Sequence, residues 1–317
     1  VPNDSMSRAE RCSEGHFAEF LESVYIKKSG EDIEKLTNEK RRKMIPGWFG
    51  LMDNILSEEG KTGVIIIDGL DELAEDPGYR VGDFLSLLPN TLPQNIYIVL
   101  SCISKEILPS NVIEKIAEEN YIEVSPLSMA ECESFIKRNS GDWEKPYSFI
   151  QAVALKTEGH PLYMNYLCRY IVNCFTANTK ENELNAWVAG LPSIGGDIRA
   201  YYDAIWKKAD PNGFVYEVLA VLSQIRGPIS EVQLVGMMNN PTPYELKAST
   251  TEFGHLLKER ESDLFEIYHS SFRLYITEKL SSVIKQTNDQ IAKYCELNED
   301  VGYSIENHLH HVVNGSD

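Results

Sequence analysis

Three carboxylates stand close together in VIIIDGLDEL, residues 64–73: Asp68, Asp71 and Glu72. Carboxylates at this spacing can divide the work of phosphate chemistry. One held at a strand tip orients a hydrated Mg2+ beside a nucleotide phosphate, and a second nearby positions or deprotonates an attacking water. Four β-branched apolar residues, Val64 to Ile67, precede them without a break. Such a run, closed by an acid and a glycine, predicts a strand buried on both faces of a parallel sheet. Asp68 would then occupy the carboxyl end of the strand, where open α/β sheets place their ligand sites. The plainer alternative is a buried strand followed by an acidic loop that solvates the sheet edge, with no ligand at all.

The elements that must position these acids are legible around them. Phe17, Phe20, Leu21 and Val24 recur at helical spacing, as do Trp48, Phe49, Met52, Ile55 and Leu56, and Glu58-Glu59-Gly60 ends the second helix. A loop with Pro77 and Gly78 leads to a helix near 80–88, and Ile96 to Leu100 reads as a second strand. Tyr121 to Val124 reads as a third. Strand, helix and strand at this spacing is the βαβ rhythm of a parallel sheet.

From Pro126 the pattern turns helical. Ser128 followed by Glu131 is a capping sequence. Helices are expected at 147–157 and 160–178, the second with Pro161 as its first helical residue, where the missing N–H costs nothing. Gly190, Pro192, Gly195 and Gly196 mark a boundary. Amphipathic helices follow at 198–208 and 214–226. Ser230 caps another over 231–239, and near 253–268 a helix runs through LLKERESD to an apolar strand, LFEIY. A helix around 270–284 and a further helical segment complete the chain. The order of helices and hairpin is that of a winged helix.

The 317 residues allow two or three domains. Hydrophobic residues make up 43% and charged residues 25%, ordinary globular values. No apolar run reaches the roughly 20 residues that span a bilayer, and no signal peptide opens the chain. A formal charge of −18 repels phosphate backbones and argues against nucleic acid as a partner. Lys40, Arg41, Arg42 and Lys43 read as a solvated helix face. The six cysteines lack CxxC pairs and regular spacing, which suits reduced thiols in a cytosolic protein. His308, His310 and His311 cluster without a cysteine partner at zinc-finger spacing.

Taken in order, several segments resemble one family. The string hhhhDGLDEL resembles the Walker B signature of NACHT-type NTPases, within the STAND class of signal-transducing ATPases. Ser101, after Ile96–Leu100, stands where that class carries its sensor strand. YIEVSPLSMAECESFI resembles the junction into its first helical domain, and Gly159-His160-Pro161 its GxP motif. LFEIYHSSFRLYI resembles its winged-helix end, and YSIENHLHHVVNG the lead into C-terminal sensor repeats. The resemblance runs from about residue 45 to the end.

It implies an α/β fold followed by α: a partial P-loop NTPase parallel sheet, a helical domain, a winged helix and the start of another helical domain. The bounds would be 1–125 for the C-terminal part of the nucleotide domain, 126–190 for the small helical domain, 191–285 for the winged helix and 286–317 for the start of the last helical domain. It implies ATP or ADP with Mg2+ as cofactors. Asp68 would hold the metal through water, Asp71 and Glu72 would assist the hydrolytic water, and Ser101 would hydrogen-bond water or phosphate. Pro161 would pack on the adenine, and His269 would reach the β-phosphate of ADP as a state-dependent latch. The expected behaviour is that of a switch, in innate immunity or antiviral defence, forming a homo-oligomer on activation, with an effector and a sensor in the parent chain.

Two departures stand against this. The chain contains no GxxxxGK[ST] loop to cradle phosphates, so that loop is expected upstream of Val1. A chain starting at Val1 also reads as a processed or excised piece. Moreover, the sensor strand is followed by Ser101-Cys102-Ile103-Ser104-Lys105, without the family's Arg. Lys105 would replace the charge only as a flexible point. A degenerate, non-hydrolysing scaffold is therefore one alternative. A transcription regulator is another, opposed by SEVQLVGMMNN, residues 230–240, which lacks the Lys and Arg of a DNA-reading helix.

Overall fold

The computed structural model describes residues 14–30, 38–71, 80–207, 214–238, 246, 253–260, 264–299 and 302–316. Glu72, Pro77 and Gly78 lie outside them. The chain divides into two compact units, Val1–Glu123 and Val124–Asp317.

The first unit is built on two long helices and a small sheet. Helices α1 (Glu14–Ser29) and α2 (Asn38–Glu58) pack as a pair. Leu21, Trp48 and Phe49, periodic residues expected to face inward, are buried between them and the sheet together with Tyr25 and Ile45, whereas Phe20 is exposed. Arg41 leaves the basic cluster to pair with Glu19 and Glu22 on α1. Gly60, at φ +63°, releases the chain from α2 into β1 (Gly63–Ile67). Helix α3 (Val81–Leu85) follows, and β2 (Ile96–Leu100) pairs with β1 in parallel, Gly63 beside Ile96 and Ile67 beside Leu100. A short helix, α4 (Ser110–Ile113), comes next.

Two expectations fail here. Burial alternates along both strands, so among the described residues the sheet is covered on one face only; Val64, Ile66, Tyr97 and Val99 on the other are exposed. Tyr121 to Val124 forms no strand, and Ile122 and Val124 are almost fully exposed. An apolar β-branched run becomes a strand only beside a sheet edge that offers it a ladder.

The second unit is helical with a small antiparallel sheet. Helix α5 (Met129–Asn139) opens with a full capping box, Ser128 accepting from the Glu131 N–H and Glu131 accepting from the Ser128 N–H. Helices α6 (Tyr147–Thr157), α7 (Pro161–Cys174) and α8 (Glu181–Ala189) complete the first layer. Then come α9 (Arg199–Trp206), α10 (Val215–Gln224), β3 (Ile229–Ser230) and α11 (Glu231–Met237), the last again started by a capping box, Ser230 with Gln233. Of LLKERESD only Leu256 is helical among the described residues, ending the 3-10 turn Gly254–Leu256. Leu257–Arg260 is strand β4, antiparallel to β5 (Leu264–Ile267), and the sheet order is β3-β5-β4. Helices α12 (Ser270–Lys279), α13 (Ile284–Leu297) and α14 (Gly302–Asn314) follow. One continuous core runs from Cys132 on α5 to Cys295 on α13. It includes Tyr166 and Tyr202, both wholly buried.

Among the described residues no helix is long and apolar enough to cross a membrane. The five described cysteines are free; Cys132, Cys168 and Cys295 are buried, but Cys174 is exposed. The histidine cluster dissolves into separate contacts. His311 is buried between Asn288 and Tyr303, and His310 lies 3.0 Å from Arg226.

Candidate functional site

In the first unit, the candidate carboxylates sit at the carboxyl end of β1, held by the tip of β2. The ladder continues one step beyond the strands, with the Ser101 N–H donating to the Ile67 carbonyl at 3.0 Å. The chain then turns at Gly69, whose φ of +74° is readily open only to glycine. The Leu70 N–H returns to the Ser101 carbonyl at 3.0 Å. Ser101 closes the knot with its side chain: Oγ accepts from the Gly69 N–H at 2.8 Å and donates to Asp68 Oδ1. Asp68 is exposed, while Leu70 anchors the turn in the core at 2% exposure.

Asp71 is half-buried, and its charge adds to burial in pushing the Cys102 thiol up. Ser101 is thus brought to Asp68 directly, as an orienting partner for the carboxylate. Lys105 lies 5.7 Å over the ring of Tyr121. Glu72 falls outside the described residues.

The second group lies in the second unit. Helix α6 ends with Glu158 in the left-handed region at φ +52°, and Gly159 follows at +75°. The Gly159 carbonyl accepts from the Leu127 N–H at 2.9 Å. The Glu158 carboxylate reaches across to the N–H groups of Ile194 and Gly196, at 2.8 and 3.3 Å. This fixes the loop before α9 against the turn.

His160 is then the N-cap of α7, its Nδ1 accepting from the Tyr163 N–H at 3.3 Å. Pro161 is the first helical residue, as expected, and is exposed. His269 caps α12 in the same manner, its Nδ1 accepting from the Ser271 N–H at 3.2 Å. Burial lowers the pKa of His160, and the neighbouring charge of His269 lowers it further, against Asp197 and Glu158. His160 precedes Pro161, so the charge of His269 is felt at the start of α7.

Sequence reasoning passed over Ser271, Tyr202 and Glu158. The Ser271 Oγ lies 2.9 Å from His269 Nδ1 and 2.8 Å from the Tyr202 hydroxyl. The signal for Ser271 was present, since a helix start at His269 places its side chain beside the next residues' free N–H groups. Nothing local marks Tyr202, which arrives from another helix.

No group of three His, Cys, Asp or Glu able to hold a metal occurs among the described residues. Mg2+ beside a nucleotide asks less of the protein: one or two carboxylates, with water and phosphate completing the shell. Asp68 fits that role, having one oxygen tied to Ser101 and standing exposed.

No family model matches the chain. No curated protein matches it either. Among solved structures, the chain is similar to a signal transduction ATPase with numerous domains (STAND) protein with a tetratricopeptide repeat sensor from Pyrococcus horikoshii, with 15% identity and a TM-score of 0.48. That match covers 96% of this chain and 40% of that one, so the chain spans less than half of its length.

Proposed function

We propose that this chain is the core of a nucleotide-dependent switch of the STAND class, NACHT type, with ATP or ADP and Mg2+ as its cofactors. The observation that carries the reading is the Ser101–Asp68 hydrogen bond across neighbouring strand ends. It leaves a carboxylate fixed in direction at the end of a parallel strand, where phosphate chemistry needs one. Asp68 would hold the Mg2+, which supplies charge neutralisation at the phosphates. Asp71 and Glu72 would act on water, Pro161 would pack on the base, and His269 would donate to a phosphate oxygen. The order helix, β3, helix, hairpin, with β5 between β3 and β4, supports reading 191–285 as a winged helix.

Since a ligand moves a conformational equilibrium only by its differential affinity for the two states, ADP and ATP would each favour a different arrangement of the domains. A homo-oligomer, with an effector and a sensor elsewhere in the protein, would transmit that difference in innate immunity or antiviral defence.

Calorimetric titration of Mg-ATP into the protein tests this. Asp68→Asn is expected to weaken binding about tenfold by removing one charge-assisted contact. Equal affinity for the variant would place the phosphates elsewhere. The same titration on these 317 residues, which contain no GxxxxGK[ST] loop, is expected to give weak or no binding. A second reading, a non-hydrolysing scaffold, is favoured by the missing Arg after β2. ATP hydrolysis by the protein, abolished by Glu72→Gln, would exclude it.

A further inference from the structure

The hydrogen bonds around His269 determine which of its nitrogens carries the hydrogen. A backbone N–H can only donate, and the Ser271 N–H points at Nδ1 from 3.2 Å. In the neutral ring Nδ1 is therefore the bare acceptor, and the hydrogen sits on Nε2. The Ser271 Oγ lies 2.9 Å from that same Nδ1, so its hydroxyl must also donate there. Its oxygen is then left to accept from the Tyr202 hydroxyl at 2.8 Å. Tyr202 in turn is 3.5 Å from the hydroxyl of Tyr166. The directions are thereby fixed along the whole row: Tyr166 to Tyr202 to Ser271 to His269. Tyr166 and Tyr202 are wholly buried, so neither can exchange its partner for water without opening the core.

His160 repeats the arrangement independently. Its Nδ1 accepts from the Tyr163 N–H, which puts its hydrogen on Nε2 as well. Two imidazoles close enough to feel one another's charge thus both present N–H groups, with Asp197 and Glu158 as the acids in reach of His160.

We propose that Ser271, backed by Tyr202 and Tyr166, is a positioning residue that holds His269 as its Nε2–H tautomer.

The test is long-range proton–nitrogen NMR on the chain with 15N-labelled histidine, His269 being assigned by the signals lost in His269→Gln. The expected result is a pyridine-type Nδ1 and a pyrrole-type Nε2. Ser271→Ala removes one of the two donors to Nδ1 and should lower the tautomer ratio about fivefold, the worth of one ordinary hydrogen bond. Tyr202→Phe should shift it less, in the same direction, and Ser271→Thr, which keeps the hydroxyl, should restore it.

A protonated Nδ1 in the neutral parent ring, or a ratio unmoved in Ser271→Ala, overturns the positioning role whatever the protein binds.

Discussion

The two candidate groups are held in opposite ways. At the end of β1, Asp68 depends on a backbone turn and a single serine, in a sheet whose other face carries Val64, Ile66, Tyr97 and Val99 to solvent. Around α7 and α12, His160 and His269 are tied down by helix caps, a buried tyrosine row and the largest core of the molecule. A group fixed by few bonds is cheap to reorient, whereas one fixed through a packed core moves only if the core does. The carboxylate end can therefore reorient on its own, whereas the imidazole end moves only with its whole unit.

Acid should separate the regions most widely. Burial pushes His255 and His311 down to about 3 from an ordinary 6.5. Neighbouring Arg169 adds to this at His255, as do His310, Arg226 and His308 at His311. Both rings are neutral when folded and bind a proton on unfolding, so their contribution is complete above pH 6.5 and is lost as pH falls toward 3. The slope approaches about 1.4 kcal/mol per pH unit for each ring below pH 6.5, so the second unit should lose about 3 kcal/mol between pH 6.5 and 5.

The first unit's lone histidine is His16. Denaturation followed by hydrogen exchange at several pH values should show residues 124–317 opening first. His255→Gln can keep a partner for the Tyr201 hydroxyl, 2.9 Å from His255 Nε2, without titrating, and should flatten the dependence. Parallel loss in both units would break the comparison.

Next in size is Gly159→Ala. A Cβ there would collide with the Leu127 carbonyl oxygen and come within 2.9 Å of Leu127 N and Pro126 Cβ, on a backbone already at φ +75°. Left-handed strain and overpacking together should cost about 3 kcal/mol of unfolding free energy. A thermal melt shifted by less than about a third of that would mean the turn relaxes freely.

The sheet supplies a sharper contrast within one strand. Ile67→Ala opens a cavity beside Leu70 and Phe84 and should cost about 2–4 kcal/mol. Ile66→Thr, one residue away at 70% exposure, should stay within about 0.5 kcal/mol. Equal costs by chemical denaturation would show that the second face is covered in solution.

These contrasts mark how far sequence carried. The capping sequence at Ser128, the cap at Ser230, Pro161 at a helix start and the β1–β2 pairing were legible because each is decided within a few residues or by a plain hydrophobic run. One-sided burial of β1, in place of the two-sided burial expected, was not, because Val64 to Ile67 are all apolar and only neighbours decide which face they cover. LLKER gave a helical reading because Leu, Lys, Glu and Arg all suit helices, yet pairing with β5 makes it a strand.

For the candidate sites, the signature residues Asp68, Ser101, Pro161 and His269 could be named from motif order. Their partners could not, since Tyr202 meets Ser271 across 69 positions. No local pattern encodes such a meeting.

Ser101→Ala should cost less than Ile67→Ala, and it isolates the weak point of the carboxylate end. The change removes the Gly69 N–H acceptor and the donor to Asp68 Oδ1, but leaves the Ser101 backbone bonds to Ile67 and Leu70. Because Asp68 is exposed, water takes over at the carboxylate, and global stability should fall by only about 1 kcal/mol. The local signature should be clearer. The Gly69 amide loses its acceptor and should exchange about fivefold faster or more, while the Leu70 amide, bound to the Ser101 carbonyl, keeps its rate. Acceleration of both would mean that the serine hydroxyl holds the turn itself. Acceleration of neither would remove Ser101 from the site, and with it the fixed direction of Asp68 on which the phosphate reading depends.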